Sequence, residues 1–434
     1  MIVWILQTGE PLQIDKGSPR PMRAINLSNK LVKAGHSVIL WSSDFSHQEK
    51  KHRTKRYSVH KVDNNLEIRL ISSCGYQRHI GLARLFDHFQ LAWNLKKLLK
   101  KEQDFPDIAF IGYPPIETAF VMSSWLKQHQ IPTILDVKDL WPSMFVEAFP
   151  SAVRPIVKII FYPYFYLARR TINNVTALSA MAPAFLNWVL NFAHKDKNKN
   201  DKVFRLTSSR GAVTKEEMSL AQKWWDNQGV DKTKTLIFFV GSFMSVFDFE
   251  PVAVAAEKLE NVQFVLCGEG DYLNMVKETM QGLDNVIFPG WVDRPKIEAL
   301  AEISIASLAP YKNIDNFIVN TPNKIVDALL LGLPILSPLK GEVEALIKSN
   351  KVGFTYSDNM PLGDCIQSLI NDDKIQNKMS ENAKKLYNEE FEFNKVYDGL
   401  VDHSRIKKFI CCHIFRRRYT KLHRCSDCVK TGER

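Results

Sequence analysis

The densest run of chemically useful side chains is Asn320-Thr321-Pro322-Asn323-Lys324-Ile325-Val326-Asp327, followed by Ala328-Leu329-Leu330-Leu331-Gly332-Leu333-Pro334. Asn320 and Thr321 can cap a helix that starts near Asn323, Gly332 can end it, and Pro334 opens the next strand. Lys324 then falls in the first turn, at the positive end of the helix dipole. A cation is unfavourable there unless an anion joins it. A diphosphate would resolve that conflict, and Asp327, one turn further on, can accept hydrogen bonds from a pair of ribose hydroxyls. Two glycine loops precede this segment, Gly241-Ser242 and Gly268-Glu269-Gly270, each closing an apolar run. Glycines at strand ends let a ligand approach the backbone. Trp291, after Pro289-Gly290, can flank a flat ring or pack half-buried.

The first half of the chain holds a second group. Asp136 and Asp139 follow the apolar run Pro132–Val137, where two carboxylates can meet a polar ligand or cap the following turn. Gly17, Arg20 and Arg23 lie in a loop that opens a helix, so they suit either an anion at a helix N-terminus or a solvated surface. The loop is not a GxGxxG pattern, which argues against simple dinucleotide binding. His36, beside Gly35 at a helix end, reads as structural. No His/Asp/Glu set in the two main domains has metal-ligand spacing, so no metal is expected.

The elements that must position these residues alternate. Ile2–Gln7, Ser37–Trp41, Asp107–Tyr113, Pro132–Val137 and Val175–Ser179 read as strands, with helical patterns between them. The polar run 194–202 reads as a linker or exposed loop. Alternation then restarts with Leu236–Val240, Val262–Leu266, Val286–Phe288, Ser304–Leu308, Pro334–Leu336 and Gly353–Tyr356. The pattern predicts an α/β chain of two Rossmann-like, doubly wound parallel-sheet domains, at 1–195 and 203–400, facing a central cleft. The last helices can pack back on the first domain, and 405–434 is a separate basic, cysteine-rich tail.

Composition narrows the class. The 434 residues are 45% hydrophobic and 24% charged, which excludes a disordered chain, a fibrous repeat and a disulfide scaffold. Lys and Arg exceed Asp and Glu by 12 in residues 1–200 and by 8 in 405–434, while 201–404 carry an excess of 9 acids. Such a split argues for domains with different partners. No nucleic-acid-binding motif accompanies the basic half, so nucleic acid is not expected. Residues 153–170 instead combine aromatics with flanking Arg154, Lys158, Arg169 and Arg170, the composition of an interfacial segment or of a buried helix. The apolar stretch Ile156–Ala168, interrupted by Lys158 and Pro163, is too short to span a bilayer. The start of the chain shows no signal-peptide pattern, and seven cysteines then fit a reducing cytosol. In the tail, Cys411, Cys412, Cys425 and Cys428 with His413 and His423 are poorly spaced for one zinc site.

In combination, the glycine loops, Gly290-Trp291-Val292 and Pro322-Asn323-Lys324-Ile325 through Gly332-Leu333-Pro334-Ile335 resemble the GT-B glycosyltransferases of the family 4 type. The stretches Thr8–Pro11, Gly17–Arg23, Gly35-His36, Trp41-Ser42-Ser43 and Asp136-Val137-Lys138-Asp139-Leu140-Trp141-Pro142 look like the family's bacterial O-antigen and capsule branch, including fucosaminyltransferase-like members. The resemblance spans about residues 1–400. It implies a retaining transferase that moves a sugar, such as an N-acetylated amino sugar, from a UDP-linked diphosphate donor to a polyprenyl-diphosphate-linked glycan. It implies no metal and no other cofactor; with a lipid-linked acceptor, the segment 153–170 and the basic first half point to a peripheral location on the cytoplasmic face of the inner membrane, against anionic lipid. By the same resemblance, Gly241, Ser242, Gly268, Glu269, Gly270, Trp291, Asn320, Thr321, Asn323, Lys324 and Asp327 bind the donor. Lys324 also stabilises the leaving diphosphate, Asp136 and Asp139 act on the acceptor side, and Gly17, Arg20 and Arg23 lie on the phosphate side. Two departures stand out. The first glutamate of the family's acidic pair falls at Val319, leaving Asn320 as its substitute, and Phe243-Met244-Ser245-Val246 replaces a basic pair. A nucleotide-sugar 2-epimerase of the same fold and a non-catalytic partner subunit are the rival readings.

Overall fold

The computed structural model describes residues 1–404 apart from 17–20, 78–80, 148, 209–210 and 212. The basic tail 405–434, Gly17 and Arg20 thus lie outside the described residues. The chain divides into two compact units: Met1–Phe204 with the residues from Tyr397 on, and Arg205–Val396.

The first unit is built on an eight-stranded sheet. Its order is Lys202–Val203, Ala177–Ala180, Thr133–Val137, Ile108–Tyr113, Ile2–Leu6, Ser37–Ser43, Leu66–Ile71 and Ser58–Asp63. Every neighbour pair is parallel except the last. The chain starts mid-sheet, winds outward on one side and then crosses to the other, so the order reverses between Ile2–Leu6 and Ile108–Tyr113. Ligands of such sheets bind at the carboxyl ends beside that switch. Strands covered on both faces are apolar throughout, as Ile108–Tyr113 is, with all six residues buried. Trp4 anchors this core, stacked on Trp125 at 5.6 Å and edge-on to Trp41 at 5.3 Å.

The second unit repeats the order with six parallel strands: Val286–Gly290, Val262–Cys267, Thr235–Val240, Ala306–Leu308, Ile335–Ser337 and Gly353–Thr355. Successive residues of a strand enter opposite layers. Ile237 and Phe239 join the core on one face, and Leu236 and Phe238 the core on the other.

Several expectations need correction. Of the two readings of 194–202 the exposed loop holds and the free linker does not: Lys195 Nζ donates to the Ile172 and Val175 carbonyls, and Asp201 accepts the Leu178 amide at 2.8 Å. Lys202–Val203 then pairs with the sheet edge, which is why the run needs no apolar face of its own. Residues 153–170 form two helices, Arg154–Ile160 and Tyr162–Asn174, with Pro163 in the first turn of the second. They present Ile156, Ile159, Ile160, Tyr162 and Tyr166 to solvent. Phe161, Tyr164 and Phe165 turn inward, against Phe145, Glu117 and Phe192. Arg169 also turns back, donating to the Phe192 carbonyl. No helix among the described residues is long and apolar enough to cross a membrane.

Arg23 and Asp136 are a buried pair, 4% and 0% exposed, with Nε to Oδ2 at 2.8 Å. The guanidinium also donates to Asp136 Oδ1, Ser179 Oγ and the Phe204 carbonyl, and Ser179 Oγ donates to Asp136 at 2.8 Å. Solvent is excluded from both, so Arg23 does not reach out to a phosphate and Asp136 does not face an acceptor. The pair ties the first helix, Arg23–Lys33, to two strands and to the end of the unit. Removing one partner leaves a buried charge uncompensated. Arg23→Ala or Asp136→Asn is expected to destabilise the first unit by about 3–5 kcal/mol. Urea unfolding followed by Trp fluorescence measures this, and an unchanged midpoint would show the pair to be dispensable.

Candidate functional site

In the second unit the glycine loops close on one another at the strand ends. The Gly241 amide donates to the Cys267 carbonyl at 3.0 Å, Gly268 to the Gly290 carbonyl at 2.8 Å, and Phe243 to the Glu269 carbonyl at 2.8 Å. Gly268, at φ +134°, leaves no room for a side chain, because a Cβ there would lie 2.0 Å from the Gly241 carbonyl oxygen. Ser242, Glu269 and Gly270 are exposed on this rim, and Trp291 is 67% exposed beside it.

Helix Asn323–Leu331 begins at the same edge and ends at Gly332 in the left-handed conformation. Its N-cap is Pro322, and no side chain caps it, contrary to the expectation for Asn320 and Thr321. Pro322 takes the cap position itself, so Thr321 falls one step too early and Asn320 two. They are buried, with Asn320 Oδ1 accepting the Thr321 amide at 2.9 Å and Thr321 Oγ1 without a hydrogen-bond partner among the described residues. The first turn holds no acid. Lys324 reaches across it, donating from Nζ to the Val240 carbonyl, with its ammonium 4.3 Å from the Phe239 ring centre and 5.1 Å from that of Phe247. Such contacts hold a cation over aromatic faces. Burial pushes the Lys324 ammonium down to about 8, against the pull of Asp327. Asp327 is half-buried one turn on. Lys324, Asp327, Gly241 and the rim thus come together, and Val319 offers no carboxylate to them.

In the first unit a cavity of about 220 Å³ opens at the carboxyl ends of the strands. Asp139 and Lys138 line it, after strand Thr133–Val137, together with Glu10, Arg84, Asp87 and His88. Glu10 is the key to the loop before the first helix. Its Oε2 accepts the Ala24 amide at 2.9 Å in the first turn, and its Oε1 receives Lys138 Nζ. The anion at this helix N-terminus is therefore the chain's own carboxylate. Burial drives His88 down to about 3, so it is neutral. Its Nδ1 lies 3.7 Å from Glu117 Oε2, whose carboxyl is raised by burial and accepts the Tyr164 hydroxyl at 2.6 Å. Arg84, Asp87 and His88, on helix Leu82–Leu99, escaped the sequence reading. The only signal was a cluster of charge inside an otherwise apolar helical pattern.

The crowding at the glycine rim separates two substitutions. In Gly241→Ala the new Cβ meets the far end of the Lys324 side chain, 1.8 Å from Nζ, which can swing away. In Gly268→Ala it meets the Gly241 backbone, which cannot; both glycines hold a positive φ, +156° and +134°, so the two variants share backbone strain and differ in this clash. Gly268→Ala is expected to cost about 1–3 kcal/mol of stability and Gly241→Ala distinctly less. Thermal unfolding of the two variants measures the difference, and equal losses would contradict the steric account.

Residues 221–386 match the family model of glycosyl transferases group 1. No curated protein sequence matches the chain. Solved structures share the fold along nearly its whole length. A sucrose-phosphate synthase from Thermosynechococcus elongatus is similar at 13% identity and a TM-score of 0.65, over 96% of this chain and 99% of that one. HepE of Anabaena, in complex with UDP and glucose, is similar at 13% identity and 0.60, over 92% and 98%. WaaG, a glycosyltransferase involved in lipopolysaccharide biosynthesis, is similar at 12% identity and 0.63, over 94% and 100%. The fold is that of the GT-B enzymes, two Rossmann-like units in series. The group 1 glycosyl transferase match falls wholly within the second unit.

Proposed function

We propose that the chain is a retaining transferase of the family 4 type. It takes a sugar from a UDP-linked donor and adds it to a polyprenyl-diphosphate-linked glycan, in O-antigen or capsule assembly. The observation that carries the donor half is the N-terminus of helix Asn323–Leu331, where Lys324 stands over a first turn without an acid. A diphosphate there meets the helix dipole and the ammonium together. Asp327 accepts from the ribose hydroxyls, Trp291 flanks the uracil, and the Gly241-Ser242 and Gly268-Glu269-Gly270 rims let the sugar diphosphate approach backbone. Asn320 stands in for the missing glutamate. That HepE of Anabaena was solved with UDP and glucose supports the choice of nucleotide.

In the reaction the bond from the sugar C1 to the diphosphate oxygen breaks and a bond from C1 to the acceptor oxygen forms on the same face. The acceptor proton passes to the departing diphosphate, so no strong protein base is required. The work of the chain is to stabilise charge on the leaving group, the task assigned to Lys324. The first unit's cavity takes the acceptor, with Asp139 accepting from its hydroxyls. The acceptor's lipid places the enzyme on the cytoplasmic face of an anionic membrane. The exposed Ile156, Ile159 and Ile160 support that placement.

Thermal stabilisation by a panel of nucleotide-sugars tests the reading. UDP-linked sugars are expected to raise the melting temperature, and stabilisation by ADP- or GDP-linked donors alone would overturn the choice of nucleotide. Lys324→Ala and Asp327→Ala are each expected to weaken donor binding by about 1.5–3 kcal/mol in titration calorimetry. Because Lys324 loses its proton near pH 8, wild-type affinity should fall as pH rises from 7 to 9. Lys324→Ala should flatten that dependence. Wild-type affinity retained by both variants would mean that the donor binds elsewhere.

A further inference from the structure

Helices Leu82–Leu99 and Tyr162–Asn174 pack on either side of helix Ile116–Gln128 in the first unit. At one end they meet, Phe89 edge-on to Tyr164 at 6.2 Å. Towards the other end a groove of about 620 Å³ opens between them, with Phe120 and Val121 in its floor. Its rim carries Lys96, Lys100, Lys127 and Arg170, and none of its lining residues is acidic. Lys127 Nζ donates to Asn174 Oδ1 at 3.3 Å and Arg170 covers the Tyr166 ring at 5.8 Å. No carboxylate pairs with any of the four among the described residues. Four cations gathered over an apolar floor repel one another unless an anion joins them.

The groove continues an exposed apolar stripe. Leu82, Phe86, Phe89 and Trp93 recur at spacings of three and four along one side of helix Leu82–Leu99, 83%, 64%, 55% and 60% exposed. Lys96 and Lys100 carry that stripe onward as charge. The one acid of the helix, Asp87, is buried and accepts the Gly75 amide. A contiguous apolar face of this size marks an interaction surface. Apolar side chains running into a cationic seat match the order of acyl chain and phosphate in a lipid.

We propose that this groove seats the phosphate of an anionic glycerophospholipid, with the Leu82–Trp93 stripe entering the adjoining acyl layer. The inference rests on the membrane placement proposed above and adds to it a defined lipid site. Each cation near an anionic surface contributes roughly fivefold to binding.

The test is co-sedimentation of the full chain at low salt with vesicles of phosphatidylcholine alone and with added phosphatidylglycerol. The triple variant Lys96→Gln/Lys100→Gln/Lys127→Gln should lose its preference for the anionic vesicles, by roughly fivefold per charge removed. Its weaker binding to neutral vesicles should be unchanged. The control Lys215→Gln/Lys223→Gln/Lys258→Gln removes three exposed lysines of the second unit and should lose far less. Circular dichroism checks that each variant folds. Equal losses in the two triple variants, or no loss in the first, would overturn the groove while leaving membrane binding standing. No wild-type binding to either vesicle would overturn both. Free glycerol 3-phosphate that displaces wild type from vesicles at micromolar concentration would assign the groove to a soluble phosphate and overturn the lipid.

Discussion

A parallel sheet buries both of its faces, and every polar group that must reach a ligand is driven to its edges. Each unit of this chain obeys that constraint with the same strand order, so the free chemistry of each gathers at the carboxyl ends beside one switch point. Inside the first sheet the buried carboxylate Asp136 is held in an ion pair. Arg23, Asp136 and Ser179 satisfy one another completely enough to be sealed from solvent. Such a triad holds a helix to two strands and, being sealed, is removed from ligand chemistry.

The two helices that begin at these edges treat their positive ends in opposite ways. Helix Arg23–Lys33 receives the carboxylate of Glu10, itself held by Lys138, so its end is already compensated. Helix Asn323–Leu331 receives a lysine instead, braced on the Val240 carbonyl and on two aromatic rings. Braced in this way, the ammonium sits partly out of water and gives up its proton more readily than an exposed lysine. In the proposed reaction an incoming diphosphate is the missing anion, and it reverses that cost at the moment of binding.

The outer surface of the first unit follows a different logic. Helix Leu82–Leu99 buries Leu91, Leu95 and Leu99 on one side, as a covering helix must, yet leaves a second apolar side uncovered. Helix Arg154–Ile160 does the same with Ile156, Ile159 and Ile160. Apolar area of this kind is costly in water, and the proposed lipid contact would cover it.

Local pattern was enough to announce the alternating strands and helices, the two Rossmann-like units, and the glycine rim with Lys324 and Asp327. These depend on residues close in the chain: apolar runs, glycines at strand ends, and a helix bounded by Pro322 and Gly332. The edge elements were illegible. Ser58–Asp63 is exposed along most of its length and Lys202–Val203 is two residues long, so neither has the continuous apolar run of a central strand. Fold decided the fate of the charged groups, because it depends on partners far away in sequence. Asp136, open in the sequence to a ligand or to capping a turn, is instead closed over by Arg23, 113 residues earlier. At the first helix, where the sequence left open a bound anion or a solvated surface, the anion is Glu10, and the aromatics Phe161, Tyr164 and Phe165 turn inward while isoleucines face out. Sequence by itself determined where backbone could come close to a ligand. Whether a charge is free to meet one was settled only by tertiary packing, since burial and pairing are properties of neighbours that the linear order does not contain.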